Sequence, residues 1–170
     1  AFALNMTGFG AGVFMYVGLL ALTMARHFLG APVEGKMTPT LWVHLAPLSV
    51  IPLSMLALLK TTDDASLLRY GSLVAAAFLG AALWWLVLAV SMTIRNRRQG
   101  KLPFALSWWA FVFPIGACSV LAYRVSELLA LEVLPLVASG LTLLALFVWS
   151  AAALGTVRGI RTGAIFAPAL

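Results

Sequence analysis

The sequence predicts an all-α polytopic membrane protein with five transmembrane helices. Hydrophobic residues make up 63% of the 170 and charged residues 9%, with a mean hydropathy of +1.05, which leaves no polar shell for a water-soluble domain. Five apolar runs, 3–26 (α1), 40–59 (α2), 67–94 (α3), 104–126 (α4) and 133–157 (α5), each reach the length of about 20 residues that a helix needs to cross hydrocarbon. Nearly all the charges lie between or beside these runs, where they stay out of lipid. Residues 1–170 therefore read as a single transmembrane domain.

Helix α1 carries Gly8, Gly10, Gly12 and Gly18, a small-residue spacing that lets helices approach closely, so close packing is expected of it. Arg26 and His27 end it, and Gly30 and Pro32 close it off. The chain opens Ala1-Phe2-Ala3-Leu4-Asn5, with no initiator Met and no charged leader, and further sequence is expected upstream.

Helix α2 begins at Thr38-Pro39-Thr40, which reads as a cap followed by a first-turn proline. Pro47 and Pro52 inside it remove the backbone bonds to the carbonyls of Val43 and Leu48, so α2 is bent or locally unwound. In lipid such a break is tolerated only where protein or a water-filled cavity satisfies the freed groups, which places α2 inside the assembly.

Helix α3 contains no proline, carries Ala75-Ala76-Ala77 and Trp84-Trp85, and reads as an outer helix. The run Arg95-Asn96-Arg97-Arg98-Gln99-Gly100-Lys101 ends it and reads first as a solvated loop that fixes topology, with lipid-headgroup recognition as the rival.

Helix α4 holds Ser107-Trp108-Trp109-Ala110-Phe111-Val112-Phe113-Pro114-Ile115-Gly116. Pro114 offers no N–H to Ala110 and crowds its carbonyl, so a kink is expected where Phe113 projects. Gly116 and Ala117 leave room for another backbone or a narrow lumen. Cys118 lies alone in α4 and serves as a space-filler. Arg124 and Glu127, at i and i+3, read as a local ion pair, with an anion-attracting mouth as the other reading. Leucine-rich α5 is again an outer helix, terminated by Gly155, Arg158, Gly159 and Arg161.

Basic residues set the orientation. Arg26, Lys36, Arg95, Arg97, Arg98, Lys101, Arg158 and Arg161 share one side. The other has Lys60, Arg69 and Arg124, balanced by Asp63, Asp64, Glu127 and Glu132. The N-terminus of this segment is thus expected outside and the C-terminus in the cytoplasm, in an inner or plasma membrane. The net charge of +6 is a topology signal, and no basic residues alternate with stacking aromatics in a soluble segment, which argues against a nucleic-acid partner.

Two stretches resemble the tellurite-resistance/dicarboxylate transporter family, which includes slow-type plant anion channels and malate permeases. The stronger is Phe104-Ala105-Leu106-Ser107-Trp108-Trp109-Ala110-Phe111-Val112-Phe113-Pro114, and the second is Thr38-Pro39-Thr40-Leu41-Trp42-Val43-His44-Leu45-Ala46-Pro47. Leu48 departs from the family pattern, which often has a second proline there. The resemblance implies ten helices in five hairpins, odd ones lining a central pore, and a homotrimer. On that frame α1–α5 correspond to helices six to ten, and five N-terminal helices are missing, to be supplied by the same chain or a partner. α2 and α4 then become pore helices, and the family's gating phenylalanine maps to Phe113.

The function expected is an anion channel or passive anion/dicarboxylate exporter with a neutral pore. Its cargo is a small anion of the chloride, nitrate, sulfite or C4-dicarboxylate class, as the resemblance implies. No charged residue lies deep in α2 or α4, so an ion would meet no tight site. Phe113, Pro114, Pro47 and Pro52 shape the pore and its gate; Ser49, Ser54, Ala110, Ala117 and Ser119 are lining candidates, and His44 and Arg124 mouth candidates. Two rivals stand beside this reading: a non-conducting structural subunit of a larger membrane complex, and a redox subunit in which His27 and His44 ligate a haem iron. No nucleophile–base pair, carboxylate pair within a span or phosphate loop points to an enzyme, and neither cofactor nor metal is expected.

Overall fold

Proline decides where two of the five helices change character. In a computed structural model of the protein, which describes residues 2–30 and 35–163, Pro47 and Pro114 are each the third residue of an α-helical segment. The first four N–H groups of a helix have no acceptor within it, so a residue without one costs nothing there. The residues ahead of each proline wind as 3₁₀ helix. α2 (Leu45–Lys60) follows the 3₁₀ segment Gly35–His44, and α4 (Val112–Leu129) follows Leu106–Phe111. The expected kink inside one continuous helix at Phe113 is thus a change of helix type one residue earlier, between Phe111 and Val112. Pro52 remains inside α2.

The other helices are continuous: α1 is Phe2–Leu29, α3 Ala65–Arg98 and α5 Leu134–Thr162. Counted with their 3₁₀ segments, five helices are long and apolar enough to cross a membrane, and the described residues contain no strand. The protein is an all-α, multi-pass membrane protein. The Pro32 expected to close α1 lies outside the described residues.

The two proline-broken helices form the centre. In the most apolar stretch of each, 44% of residues are buried, against 28% in α3, 17% in α5 and 6% in α1. Their 3₁₀ segments meet at Trp42 and Phe111, whose rings stand edge to face at 5.2 Å. Beyond that crossing, Leu45, Ser49, Pro52 and Leu56 of α2 and Ile115, Cys118, Ala122 and Val125 of α4 are buried. Lipid is as apolar as these side chains, so what holds them is close fit rather than exclusion of water.

α3 and α5 flank this pair. α3 buries Ala75, Ala82, Ala89 and Asn96 at seven-residue intervals, a narrow seam of the coiled-coil kind. Asp64 caps it, its carboxylate accepting the N–H of Ser66 at 2.8 Å and of Leu67 at 3.1 Å.

Three local expectations are corrected. The glycines of α1 do not pack on this chain: a Cβ at Gly8, Gly10, Gly12 or Gly18 would meet nothing within 4 Å, because α1 touches the bundle through Tyr16, Leu20 and Met24 instead. Gly155 does not end α5, which runs to Thr162 and stops at Gly163 in left-handed conformation (φ 71°). Gly155 makes room for the Phe104 ring, into which any Cβ there would run. Thr38 is no helix cap; its hydroxyl is buried and accepts a hydrogen bond from Asn96 Nδ2 at 2.6 Å.

Candidate functional site

Each central helix has one face turned into the bundle and one that the described chain leaves largely open, the α2 face bordering a groove beside α1. On α4, Phe113, Val120, Arg124 and Glu127 are exposed and Gly116 and Ala117 half-buried, all on the side opposite Ile115, Cys118 and Ala122. On α2 the corresponding strip is Val43, Ala46, Val50, Ser54 and Ala57, with Pro47 at its edge. The strips are neutral and mostly small-sided along their length. Charge enters only at the far end of α4, where Arg124 Nη1 and Glu127 Oε2 pair at 2.9 Å, as the i, i+3 spacing leads one to expect.

Phe113 is the large side chain near the start of the α4 strip. It is 65% exposed, whereas Phe111 is 5% exposed and wedged between Trp42 and Trp108. Two residues are about 200° of helical rotation, which puts the two rings on opposite sides of the same segment. Ala110 is half-buried at the end of the 3₁₀ stretch.

The prolines and serines separate by role. Pro52 and Pro114 are buried, so they shape the backbone rather than present a surface. Ser119 is buried toward α5, with its hydroxyl 2.8 Å from the Ala138 carbonyl and 2.7 Å from Thr142 Oγ1. Ser49 is buried and donates to the Leu45 carbonyl at 2.8 Å. Neither is on the open face; Ser54 is. It borders a groove of about 610 Å³ between α1 and α2, lined also by Asn5, Gly8, Gly12 and Val50.

His44 is half-buried against side chains of α1 and α3. Its ring lies 4.9 Å from Trp85, edge to face, and 6.3 Å from Tyr16. His27 meets the same Trp85 at 5.7 Å and has Nδ1 2.6 Å from the Thr23 carbonyl. The cavity beside His27 and Trp85 measures about 70 Å³, far too small for a porphyrin, and Trp85 packs against both imidazoles. This arrangement does not fit a haem between the two histidines.

A set of polar staples steadies the 3₁₀ segment before α2, and sequence reasoning did not identify it. Trp85 Nε1 donates to the Leu41 carbonyl at 2.7 Å, Trp42 Nε1 to Thr93 Oγ1 at 3.0 Å, and Asn96 to Thr38. Tyr16 Oη reaches the His44 carbonyl at 3.4 Å. The carbonyls of Leu41 and His44 thus find donors on α3 and α1, as a broken helix in lipid requires. The available signal was residue type: Trp and Asn inside or beside apolar spans need polar partners.

Helices broken within the bundle are a feature that many transporter folds share. The chain belongs to the voltage-dependent anion channel family, which it matches over residues 2–157. Two relatives, both uncharacterized transporters of Methanocaldococcus jannaschii, are 31% and 30% identical over 163 residues. The match takes in 96% of this chain and 47% and 48% of theirs, so the chain spans about half the length of these relatives. No solved structure matches it.

Proposed function

We propose that these five helices are one half of an anion channel and that the open faces of α2 and α4 form part of its pore wall, with Phe113 as the gate. The single observation that supports this most strongly is the side chain's placement. A large ring stands exposed on a helix whose opposite face is among the best packed in the chain. An ordinary core phenylalanine would be where Phe111 is.

The chemistry of the faces fits a small anion. Conduction requires binding weak enough to let the ion leave, and the strips carry no charge between Phe113 and Arg124. The positive edge of a phenyl ring is tolerable to an anion, whereas its face is not. Ser54 is the hydroxyl placed to donate along the way. Pro114 acts through geometry, by starting α4 where Phe113 is aimed outward.

On this reading α1–α5 are helices six to ten of a ten-helix subunit, the first five coming from the same chain or a partner, and the assembly is a homotrimer. The basic end lies in the cytoplasm of a cell whose inner or plasma membrane holds the channel. The cargo is of the chloride, nitrate, sulfite or C4-dicarboxylate class. The length of the relatives and the Lys/Arg asymmetry support this frame.

The test is anion current through the full-length protein in planar bilayers. Phe113→Ala is expected to raise it by about tenfold or more, as lowering a barrier by about 1.4 kcal/mol would. Thermal stability should stay near wild type. A destabilised Phe113→Ala with no gain of current would favour a non-conducting structural subunit.

A further inference from the structure

The basic C-terminal end of α3 borders a cavity that the pore reading leaves unused. This cavity, about 200 Å³ in volume, lies between α3 and α5, with Trp42, Trp108 and Phe111 among its lining residues, as are Leu144 and Val148 of α5. Arg97 completes the lining and is itself exposed. We propose that the cavity takes an acyl chain of a negatively charged phospholipid, whose phosphate is held by Arg97.

The lining argues for hydrocarbon. Polar groups in its lining are already satisfied: the Trp42 indole donates to Thr93 at 3.0 Å, the Thr93 hydroxyl to the Ala89 carbonyl at 2.7 Å, and the Trp108 indole to the Pro103 carbonyl at 3.2 Å. Apolar lining favours an apolar guest over water, as in an enclosed cavity of about 150 Å³ lined by Leu, Ile and Phe. A polar solute would find no partner there.

The rim argues for an anion on the same molecule. Among the described residues Arg97 makes no ion pair. Arg95, Arg98 and Lys101 lie within four residues of it, and the run from Arg95 to Lys101 contains no acid. A guanidinium beside an apolar slot at the membrane surface matches the two ends of a lipid, with its fork of donors suited to phosphate. A soluble phosphate would use only the rim, and a peptide segment would leave its backbone groups unpaired against Phe and Leu.

The experiment uses the full-length protein in nanodiscs of equal parts dioleoyl phosphatidylglycerol and dioleoyl phosphatidylcholine, with retained lipid counted by native mass spectrometry after extraction into detergent. Wild type is expected to retain phosphatidylglycerol over phosphatidylcholine by roughly fivefold. Arg97→Gln should lose that preference yet still hold lipid. Ala151→Phe, which fills the cavity from α5, should lose bound lipid of both kinds. Glycerophosphate, a headgroup without a chain, should displace nothing. The proposal is overturned if wild type shows no preference or retains no lipid, the latter being the result if another protein segment fills the cavity. Equal losses in Arg97→Gln and Arg158→Gln would also overturn it, since that is diffuse charge attraction. So would an Ala151→Phe variant that binds as wild type does, or displacement by glycerophosphate.

Discussion

Helices α1 and α4 are both apolar enough to span a membrane, yet α1 buries one residue, Tyr16, and α4 buries seven. Hydropathy alone does not separate them, with means of 1.7 over α1 and 1.5 over the span that contains α4. What separates them is shape. α4 changes helix type at Phe111, so its 3₁₀ segment crosses that of α2 while its α-helical segment lies along α2, and the two bury each other. α1 is a single continuous helix and meets the bundle through few side chains, Tyr16, Leu20 and Met24 among them. In a membrane, where no hydrophobic force drives helices together, such a fit is what makes a centre.

The comparison can be broken at its tightest point first. Phe111→Ala, in the crossing of the two 3₁₀ segments, is expected to cost about 3–5 kcal/mol, read as a fall in the thermal unfolding midpoint of the full-length protein. An unchanged midpoint would mean that the crossing does not organise the fold. Next come the staples that hold the segment before α2. Trp85→Phe removes the donor to the Leu41 carbonyl and should cost about 1–3 kcal/mol, with most of it attributable to that orphaned carbonyl. A hydrogen-exchange measurement should show residues 35–44 opening more readily in that variant, and equal protection would contradict the role.

Glycines on a packed and an unpacked helix should respond differently to a methyl group. Gly155→Ala pushes a methyl into Phe104 and should cost about 1–3 kcal/mol by overpacking. Gly10→Ala on α1, with open space around it, should stay within about 0.5 kcal/mol of wild type in the same melts. If the two glycines behaved alike, the difference between a packed and an unpacked helix would not hold.

Much of this was legible in the sequence. The five spans fall where the apolar runs put them, but α3 and α5 continue to Arg98 and Thr162, past the predicted ends at 94 and 157. Hydropathy marks the hydrocarbon, whereas an arginine-bearing helix end can continue into the interface with its charged heads in water. The prolines marked the central helices, but proline chemistry is equally compatible with a kink and with the start of a new helix. Glycine was the least readable residue. The same absence of a side chain lies against a ring at Gly155 and against open space in α1, and nothing local distinguishes the two. The staples link residues 44 to 58 positions apart, a pairing fixed by the hairpin and not by any short motif. Phe113 was singled out by its motif. That it faces away from the core while Phe111 faces in depends on where the α-helix begins.

The most direct test of the proposed pore wall is cysteine accessibility along α4 in the full-length protein. With the buried native Cys118 left in place, single cysteines at 117 and 120 should react with a small, water-soluble methanethiosulfonate and block the current. Cysteines at 115 and 122, on the packed face, should be silent, as should Cys118 itself. Reaction and block at 115 or 122, with 117 and 120 inert, would place the conducting path elsewhere.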